Sequence, residues 1–329
     1  MKYKVSIIIV NYNGAKVLLD CLNSVFKQKY KHFEIIVVDN NSTDHSIKLL
    51  EAYREKINLI ILKENKGFTG GNIEGLKHAG GDYIVLLNND TEVTSEWLGN
   101  LIAPMEQHPE IGICASKMVK YGTNSIDSAG DGCTTTARGF KIGENESADN
   151  YTESKFVFGA CGGAVAYRRK MIEEIGFLDD DFFLIHEDTD LNFRAQLAGW
   201  KCYFVHDAIV YHKVRSTIGE MSDIAVYYSI RNAEYVRIKN LPSLLVVKYF
   251  HHYILQEIGT LLYFCIKHRK WKMYLKAKLD VLKSFPMLLS KRKKNQKKRK
   301  VASKYIDSML TKVLNPKILR MKLRKLFTS

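Results

Sequence analysis

The densest group of reactive side chains is Asp179-Asp180-Asp181-Phe182-Phe183-Leu184-Ile185-His186-Glu187-Asp188-Thr189-Asp190, with six carboxylates in twelve residues. Acids at a helix start complement its N-terminal dipole, at about 0.3–1 kcal/mol each. That accounts for one or two of Glu187, Asp188 and Asp190, but poorly for six acids mixed with apolar residues. A carboxylate at such a start, partly buried by Phe182 and Phe183, is a candidate general base whose pKa its surroundings could tune.

Three more polar clusters fall where apolar runs stop. Val5-Ser6-Ile7-Ile8-Ile9-Val10 ends at Asn11-Tyr12-Asn13-Gly14, and Phe33-Glu34-Ile35-Ile36-Val37-Val38 ends at Asp39-Asn40-Asn41-Ser42-Thr43-Asp44. Open α/β sheets bind ligands beyond the carboxyl ends of their strands, so these two ends suggest a nucleotide pocket. Glu64-Asn65-Lys66-Gly67-Phe68-Thr69-Gly70-Gly71-Asn72 is a Gly-rich turn into a helical pattern. Its glycines admit close approach of backbone to ligand, and the helix start offers N–H groups to an anion. Ordinary strand–helix turns also use glycine, and the spacing matches neither a dinucleotide fingerprint nor a Walker A loop.

Asn88-Asn89-Asp90 closes the run Tyr83–Leu87. A carboxylate there could hold a hard divalent cation shared with diphosphate oxygens, although Asn-Asp is also common turn chemistry. His212 closes Ala208-Ile209-Val210-Tyr211. A lone histidine is commonly structural, and this one gains weight only if its strand end faces Asp90.

Positioning these residues calls for alternating elements. Strand-like runs at 5–10, 33–39, 58–63 and 83–88 alternate with helical patterns at 15–28, 43–56 and 70–79. The strands are almost continuous Val, Ile and Leu, as in a parallel sheet covered on both faces. The order predicts an α/β fold with a doubly wound half. Residues 120–155, rich in Gly, Ser, Thr, Asn and Asp, read as a long loop or irregular hairpin over the site. Order returns at Phe156–Arg168, with a helix near 187–198 and short β runs at 202–205 and 208–212.

The 329 residues carry a net charge of +15 that is unevenly spread. Residues 241–329 hold 23 Lys and Arg against 3 Asp and Glu, whereas residues 1–240 hold 27 against 32. A mildly acidic catalytic part over 1–220 is therefore expected to precede a helical, strongly basic part over 221–329 that meets an anionic surface. Residues 244–266 are apolar but include Lys248, His251, His252, Gln256 and Glu257. Central charges cost about 2.5–3.5 kcal/mol each in a spanning helix, which favours a helix lying at a membrane interface or packed on the catalytic part. The run Lys291–Lys300 reads as a solvated linker or, beside apolar helices, as a contact for anionic lipid. Six widely spaced cysteines point to buried free thiols in a reducing compartment. The first strand begins too early for a secretion signal, so a cytoplasmic enzyme, peripheral at the inner face of the cell membrane, is expected.

In order and spacing, Val5–Gly14, Val37–Asp44, Asn65–Asn72, Gly81–Asp90, Phe158–Arg168 and Gly176–Trp200 resemble the family-2 inverting glycosyltransferases of the GT-A fold, in particular a rhamnosyltransferase-like branch. The resemblance covers most of residues 1–215. It implies a Rossmann-like mixed sheet flanked by helices, with the basic helical extension outside it. It also implies that Asp39 binds the donor's base or ribose with Asn11, Asn13, Gly14 and Asn41 around it. Asn65, Gly67, Gly70 and Gly71 would line the nucleotide pocket, with Asn89 also among the donor-binding residues. Asp90 would hold Mg²⁺ or Mn²⁺, His212 matches a position that assists in some relatives, and Asp188 matches the base with Glu187 beside it. Asn88-Asn89-Asp90 has fewer acids than the fuller motif, which implies either a lower metal affinity or an ion that relies on the diphosphate and His212. The implied donor is dTDP-rhamnose or a UDP-sugar, and the implied acceptor is a glycan or lipid-linked saccharide.

Three other readings compete for these residues. A sugar-nucleotide nucleotidyltransferase would want a basic Gly-rich loop after the first strand, and a silent glycan-binding or scaffolding homologue would release no nucleoside diphosphate. Nucleic-acid binding would use the tail but leave the acids around Asp188 without a job.

Overall fold

The computed structural model describes residues 4–214, 221–316 and 319. The chain forms two units, one made of Met1–Asp131, Lys141–Ala195 and Trp200–Arg215, the other of Gly132–Phe140, Gln196–Gly199 and Ser216–Ser329.

The first unit is built on one mixed sheet. Strands β1 (Val5–Asn11), β2 (Phe33–Asp39), β3 (Asn58–Ile61) and β4 (Tyr83–Leu87) lie parallel in the order β3-β2-β1-β4. Their crossovers carry α1 (Leu18–Phe26), α2 (Ser46–Glu51) and α3 (Gly67–His78). Leu18, Leu22 and Val25 of α1 join Ile7, Ile9, Ile35 and Val85 in the core, which is why the strands read as unbroken apolar runs. On α3, Gly71 and Gly75 face Val10 and Ile8, and a Cβ added to either would stand 2.7 and 2.5 Å from those side chains. Close helix–sheet approach is therefore one use of this glycine run.

Beyond β4 follow β5 (Thr91–Val93), α4 (Trp97–Gln107), β6 (Ile111–Lys120) and β7 (Ile126–Ser128). Trp97 is buried and donates Nε1–H to Ser116 Oγ over 2.9 Å, which satisfies its one donor. After β8 (Asp131–Thr134) and β9 (Gly139–Lys141) come β10 (Lys155–Val157), β11 (Ala164–Arg168), α5 (Arg169–Ile175), α6 (Glu187–Leu197) and β12 (Lys201–His212). β11 lies antiparallel beside β4, then β6 antiparallel to β11, β12 parallel to β6, and β10 antiparallel at the edge; β5 pairs with β12 and β7 with β6. The two short β runs expected at 202–205 and 208–212 are one strand, with a register shift between Val205 and Ile209. The segment 120–155, expected as a long loop or irregular hairpin, holds the short strands β7, β8 and β9, of which β8 and β9 pair as a hairpin.

In the second unit, β8 and β9 pair, and β13 (Leu310–Thr311) pairs with β8. The helices are α7 (Asp223–Asn240), α8 (Ser243–Lys248), α9 (Phe250–Leu261), a π-helical turn at Leu262–Lys267, α10 (Trp271–Lys283), α11 (Phe285–Lys297) and α12 (Ser303–Met309). The units do not part at residue 220. Thr135 and Thr136 at the β8–β9 tip hydrogen-bond His252 Nδ1 (2.8 Å) and Gln256 Oε1 (2.6 Å) of α9, which ties the hairpin to the helices. The stretch 244–266 is likewise not one helix: it breaks after Lys248 and again into the π-helical turn. The basic run is helical to Lys297 rather than a loose linker, since Arg292 donates to the Ile238 carbonyl and Gln296 to that of Asn240. Among the described residues no helix is long and apolar enough to cross a membrane.

Candidate functional site

β1 is flanked by β2 on one side and β4 on the other, so the strand order reverses at its carboxyl end. The register pairs Asn11 with Asp39. Asn11 Nδ2 donates to Asp39 Oδ2 (2.9 Å) and Ser42 Oγ (3.1 Å), and its Oδ1 accepts from Asn89 Nδ2 (2.8 Å). One buried amide thus joins the ends of β1, β2 and β4. Gly14 lies over that junction, where a Cβ would stand 2.2 Å from Asn89 Nδ2. Asn13 and Asn41 are exposed with φ of +52° and +65°, values Asn tolerates better than most residues. Asn13 Oδ1 accepts the Thr43 amide over 2.8 Å, locking the two loops together.

Asp39 itself is fully buried, and its other oxygen accepts the Ser42 amide over 2.8 Å. In this arrangement it organises the loop and presents no surface to a nucleoside, in contrast to the direct contact expected. Asn65 is half-buried; its Oδ1 accepts from Asn40 Nδ2 (2.9 Å) and the Gly67 amide (2.8 Å). Gly67 and Gly70 are buried in the first turn of α3, and the Thr69 amide there donates to the Phe183 carbonyl (3.2 Å). Two amides of this helix start are therefore already taken, so it offers an anion less than its sequence promised.

Asp90 follows the turn from β4, and His212 ends β12. His212 Nε2 lies 3.2 Å from Asp90 Oδ1, the facing arrangement that gives this histidine weight. Its Nδ1 lies 2.8 Å from Asp127 Oδ2, and Asp127 Oδ1 accepts from Lys141 Nζ over 2.7 Å. Burial disfavours charge on His212, but hydrogen bonds to Asp127 and Asp90 outweigh it and raise the imidazole to about 9. Burial likewise opposes ionisation of Asp127, and the His212 and Lys141 contacts still hold it down at about 2. The row Asp90, His212, Asp127, Lys141 alternates in charge from end to end.

Asp188 and Glu187 open α6 after two consecutive left-handed residues, Ile185 (φ +67°) and His186 (φ +72°). A β-branched residue in that region is strained, and such strain collects at functional turns. Asp188 Oδ2 accepts the Gly162 amide (3.0 Å), and Oδ1 accepts the Thr189 amide (2.6 Å). Glu187 instead points inward and is buried, with Oε2 unpartnered among the described residues. Burial, then the charge of Asp188 beside it, pushes Glu187 up to about 8. The expected pair is thus divided: Asp188 is half-exposed, and Glu187 is a buried acid below it. Asp190 is structural, paired with Arg194 at 2.8 Å, whose guanidinium also binds the carbonyls of Ile175, Gly176 and Phe177.

Sequence reasoning missed Asp127, Asp131, Lys141 and the glycines of the loop before β11. Asp131 is buried; that burial and the charge of Asp188 push its carboxyl well above the usual range. Gly163 accepts the Asn88 amide over 2.8 Å, one residue from the Gly162–Asp188 bond. The signals were a Gly-Gly pair beside a strand and two acids in a polar loop that carries several other charged residues, such as Glu144, Glu146, Asp149 and Glu153. Neither is distinctive without the fold.

Among the described residues no three His, Cys, Asp or Glu side chains form a ready metal cluster. Asp90 and His212 would suit a divalent cation only once His212, positively charged in this row, gives up its Nε2 proton to the incoming ion. One oxygen and one imidazole nitrogen converge, Asp127 orients the other ring nitrogen, and a diphosphate can supply the remaining oxygens.

Residues 6–176 match the model of the family described as Glycosyl transferase family 2. The amylovoran biosynthesis glycosyltransferase AmsB of Erwinia amylovora is 27% identical over 237 residues, 68% of this chain and 75% of that protein. The poly(ribitol-phosphate) β-N-acetylglucosaminyltransferase TarS of Staphylococcus aureus is 35% identical over 111 residues, 32% of this chain and 19% of its own length. The crystal structure of S. aureus TarS 1-349 in complex with UDP-GlcNAc has a TM-score of 0.57 at 20% identity, covering 93% of this chain and 92% of that one. The mannosyltransferase PcManGT from Pyrobaculum calidifontis in complex with GDP-Man and Mn²⁺ gives 0.56 at 15% identity, covering 99% and 85%. At these identities the structural likeness is one of fold.

Proposed function

The chain belongs to glycosyl transferase family 2 and is a glycosyltransferase with the GT-A fold, and from that premise we propose that it moves a hexose from a nucleoside-diphosphate donor to a hydroxyl of a lipid-linked glycan, inverting the anomeric carbon. The observation that carries the reading is the loop Gly162–Gly163. Its first residue binds Asp188 and its second binds the turn leading to Asp90, so base and diphosphate site share one support.

In this reading the nucleoside lies over Asn11, Asn13, Gly14 and Asn41, on the loop that Asp39 holds in shape. Asn65 and Gly67–Gly71 wall the pocket, and Asn89 stands beside the diphosphate. Asp90 and His212 would hold Mg²⁺ or Mn²⁺, which would neutralise charge on the departing diphosphate. Asp188 takes the proton of the acceptor hydroxyl. The acceptor oxygen bonds to the anomeric carbon as the bond from that carbon to the diphosphate oxygen breaks, and the nucleoside diphosphate leaves. Lys141 and Asp127 keep His212 directed at Asp90. The acceptor is carried on the inner membrane face, where the basic C-terminal region meets anionic lipid.

TarS and PcManGT are titled with UDP-GlcNAc and GDP-Man, and the resemblance in sequence adds dTDP-rhamnose to the candidate donors. A thermal-shift series with UDP-, dTDP- and GDP-sugars, with and without Mn²⁺, tests the reading. We expect stabilisation by one nucleotide class and a larger shift with Mn²⁺. Absence of a shift with every donor, together with no release of nucleoside diphosphate, would favour a silent binding protein.

A further inference from the structure

Helix α9 is amphipathic in the wrong sense for a helix in water. Its polar row His252, Gln256 and Thr260 is buried, while Ile254, Ile258 and Leu261 are each more than 40% exposed. Helices of soluble proteins turn the apolar stripe inward. On α10 the inner face is ordinary, with Ala277 packed against Val226 and Ile230 of α7, yet Leu275, Leu279 and Leu282 are at least 50% exposed.

The two apolar rows share a face. Glu257 of α9 accepts from Tyr274 (3.1 Å) and Lys278 (2.5 Å) of α10, while the Phe264 carbonyl takes the Lys270 amide, so the helices run back along each other. Ile254 and Leu261 lie three residues before and four after Glu257. Leu275 and Leu282 lie three before and four after Lys278. In an antiparallel pair, equal angular steps from the seam residue rise on the same side of both helices. The opposite side is held by Glu234 of α7, which takes both Lys278 and Tyr253.

Charge identifies what covers this face. Residues 243–300 carry sixteen Lys and Arg against two acids. Those acids are engaged, Glu257 by Lys278 and Asp280 by Tyr227. Exposed Lys272, Lys276 and Lys283 border the α10 row, and Trp271 is exposed at its start. An apolar strip edged by cations, with a tryptophan at its end, matches a bilayer whose headgroups are anionic. We propose that the α9–α10 face is a membrane-docking surface that lies in the plane of an anionic bilayer and inserts its aliphatic row, the polybasic run being secondary. Part of that run is already packed, through Arg292 and Gln296, on the end of α7. The inference deepens, and rests on, the lipid-linked acceptor proposed above.

Flotation of the full chain with vesicles of phosphatidylcholine, alone or mixed with phosphatidylglycerol, tests it without any sugar donor. We expect binding to the anionic vesicles, a blue shift of Trp271 emission on binding, and partial retention at high salt. Ile258→Asp with Leu275→Asp should weaken partitioning by at least about tenfold. Both sites are exposed, and an unchanged melting temperature confirms folding; Ile258→Ser with Leu275→Ser serves as a milder second pair. Failure of the wild type to float, or unchanged flotation of both double variants, overturns the proposal, the latter by assigning binding to the polybasic run. A wild-type dimer that the variants split, with no vesicle binding, overturns it in favour of a second copy covering the face. None of these results touches the transferase reading, which nucleotide binding tests separately.

Discussion

His212 turns Nε2 toward Asp90 across 3.2 Å. Its other nitrogen meets Asp127, so the ring cannot rotate without losing a buried hydrogen bond. In the proposed reading, this fixed ring is what would let Asp90, the one acid of Asn88-Asn89-Asp90, share a cation with the diphosphate. A carboxylate behind a metal-binding imidazole fixes its orientation and raises its basicity, and its loss typically lowers metal affinity by about 10–100-fold.

Asp127→Asn should therefore raise the Mn²⁺ concentration needed for half-maximal transfer by about tenfold or more, with the donor KM at saturating Mn²⁺ little changed. Titrating Mn²⁺ into the protein with a nucleoside diphosphate present, by calorimetry, measures the same loss without turnover. An unaltered Mn²⁺ requirement would remove His212 from the ion's surroundings.

Asp188→Asn should abolish transfer while donor binding persists. The substitution keeps the size of the side chain and an oxygen able to accept the Gly162 amide, but it removes the proton acceptor. Calorimetry with the donor nucleotide, run beside a transfer assay, separates the two effects. Retained turnover would sink the assignment of the base.

The parallel half of the sheet was legible because β1, β2 and β4 are buried on both faces, and burial writes itself as unbroken Val and Ile. Asp90 and Asp188 were visible as candidates because each stands where an element starts or ends. Asp127, Asp131 and Lys141 were not. They lie in or beside strands of three or four residues, of which only β8 pairs with a strand distant in sequence, β13. Periodicity says nothing at that length. The inversion of α9 was hidden for a related reason: the 3.6-residue pattern is present, but it takes the contacts of Thr135, Thr136 and Arg138 to show that the polar side is the inner one.

Glu187 gives the stability a pH dependence of known sign. Its folded pKa, about 8, lies above the 4.5 of an ordinary glutamate, so the folded state holds the proton more tightly. The resulting stabilisation is complete below about pH 4.5 and is lost as the pH rises through about 8. Glu187→Gln keeps the buried neutral shape and removes the titration. Melting temperatures across this window should fall for the wild type relative to the variant, and parallel curves would show that Glu187 does not titrate there.

Gly67 and Gly122 allow backbone strain to be separated from crowding at the site. Both adopt left-handed φ, +70° and +72°. Around Gly122 a Cβ would meet nothing within 4 Å, whereas at Gly67 it would stand 2.2 Å from the Phe183 carbonyl oxygen and 2.7 Å from its ring. Gly122→Ala should thus show the conformational cost alone, about 1 kcal/mol, with transfer unchanged. Gly67→Ala must also displace Phe183, raising the cost to about 2–4 kcal/mol. Phe183 is two residues from the strained pair Ile185–His186 that delivers Asp188, so the displacement should reach the base. Denaturant unfolding gives the two stabilities, and transfer rates at saturating donor give the catalytic effect. Equal losses in both variants would mean that Phe183 yields freely, and that the turn does not depend on α3 for its shape.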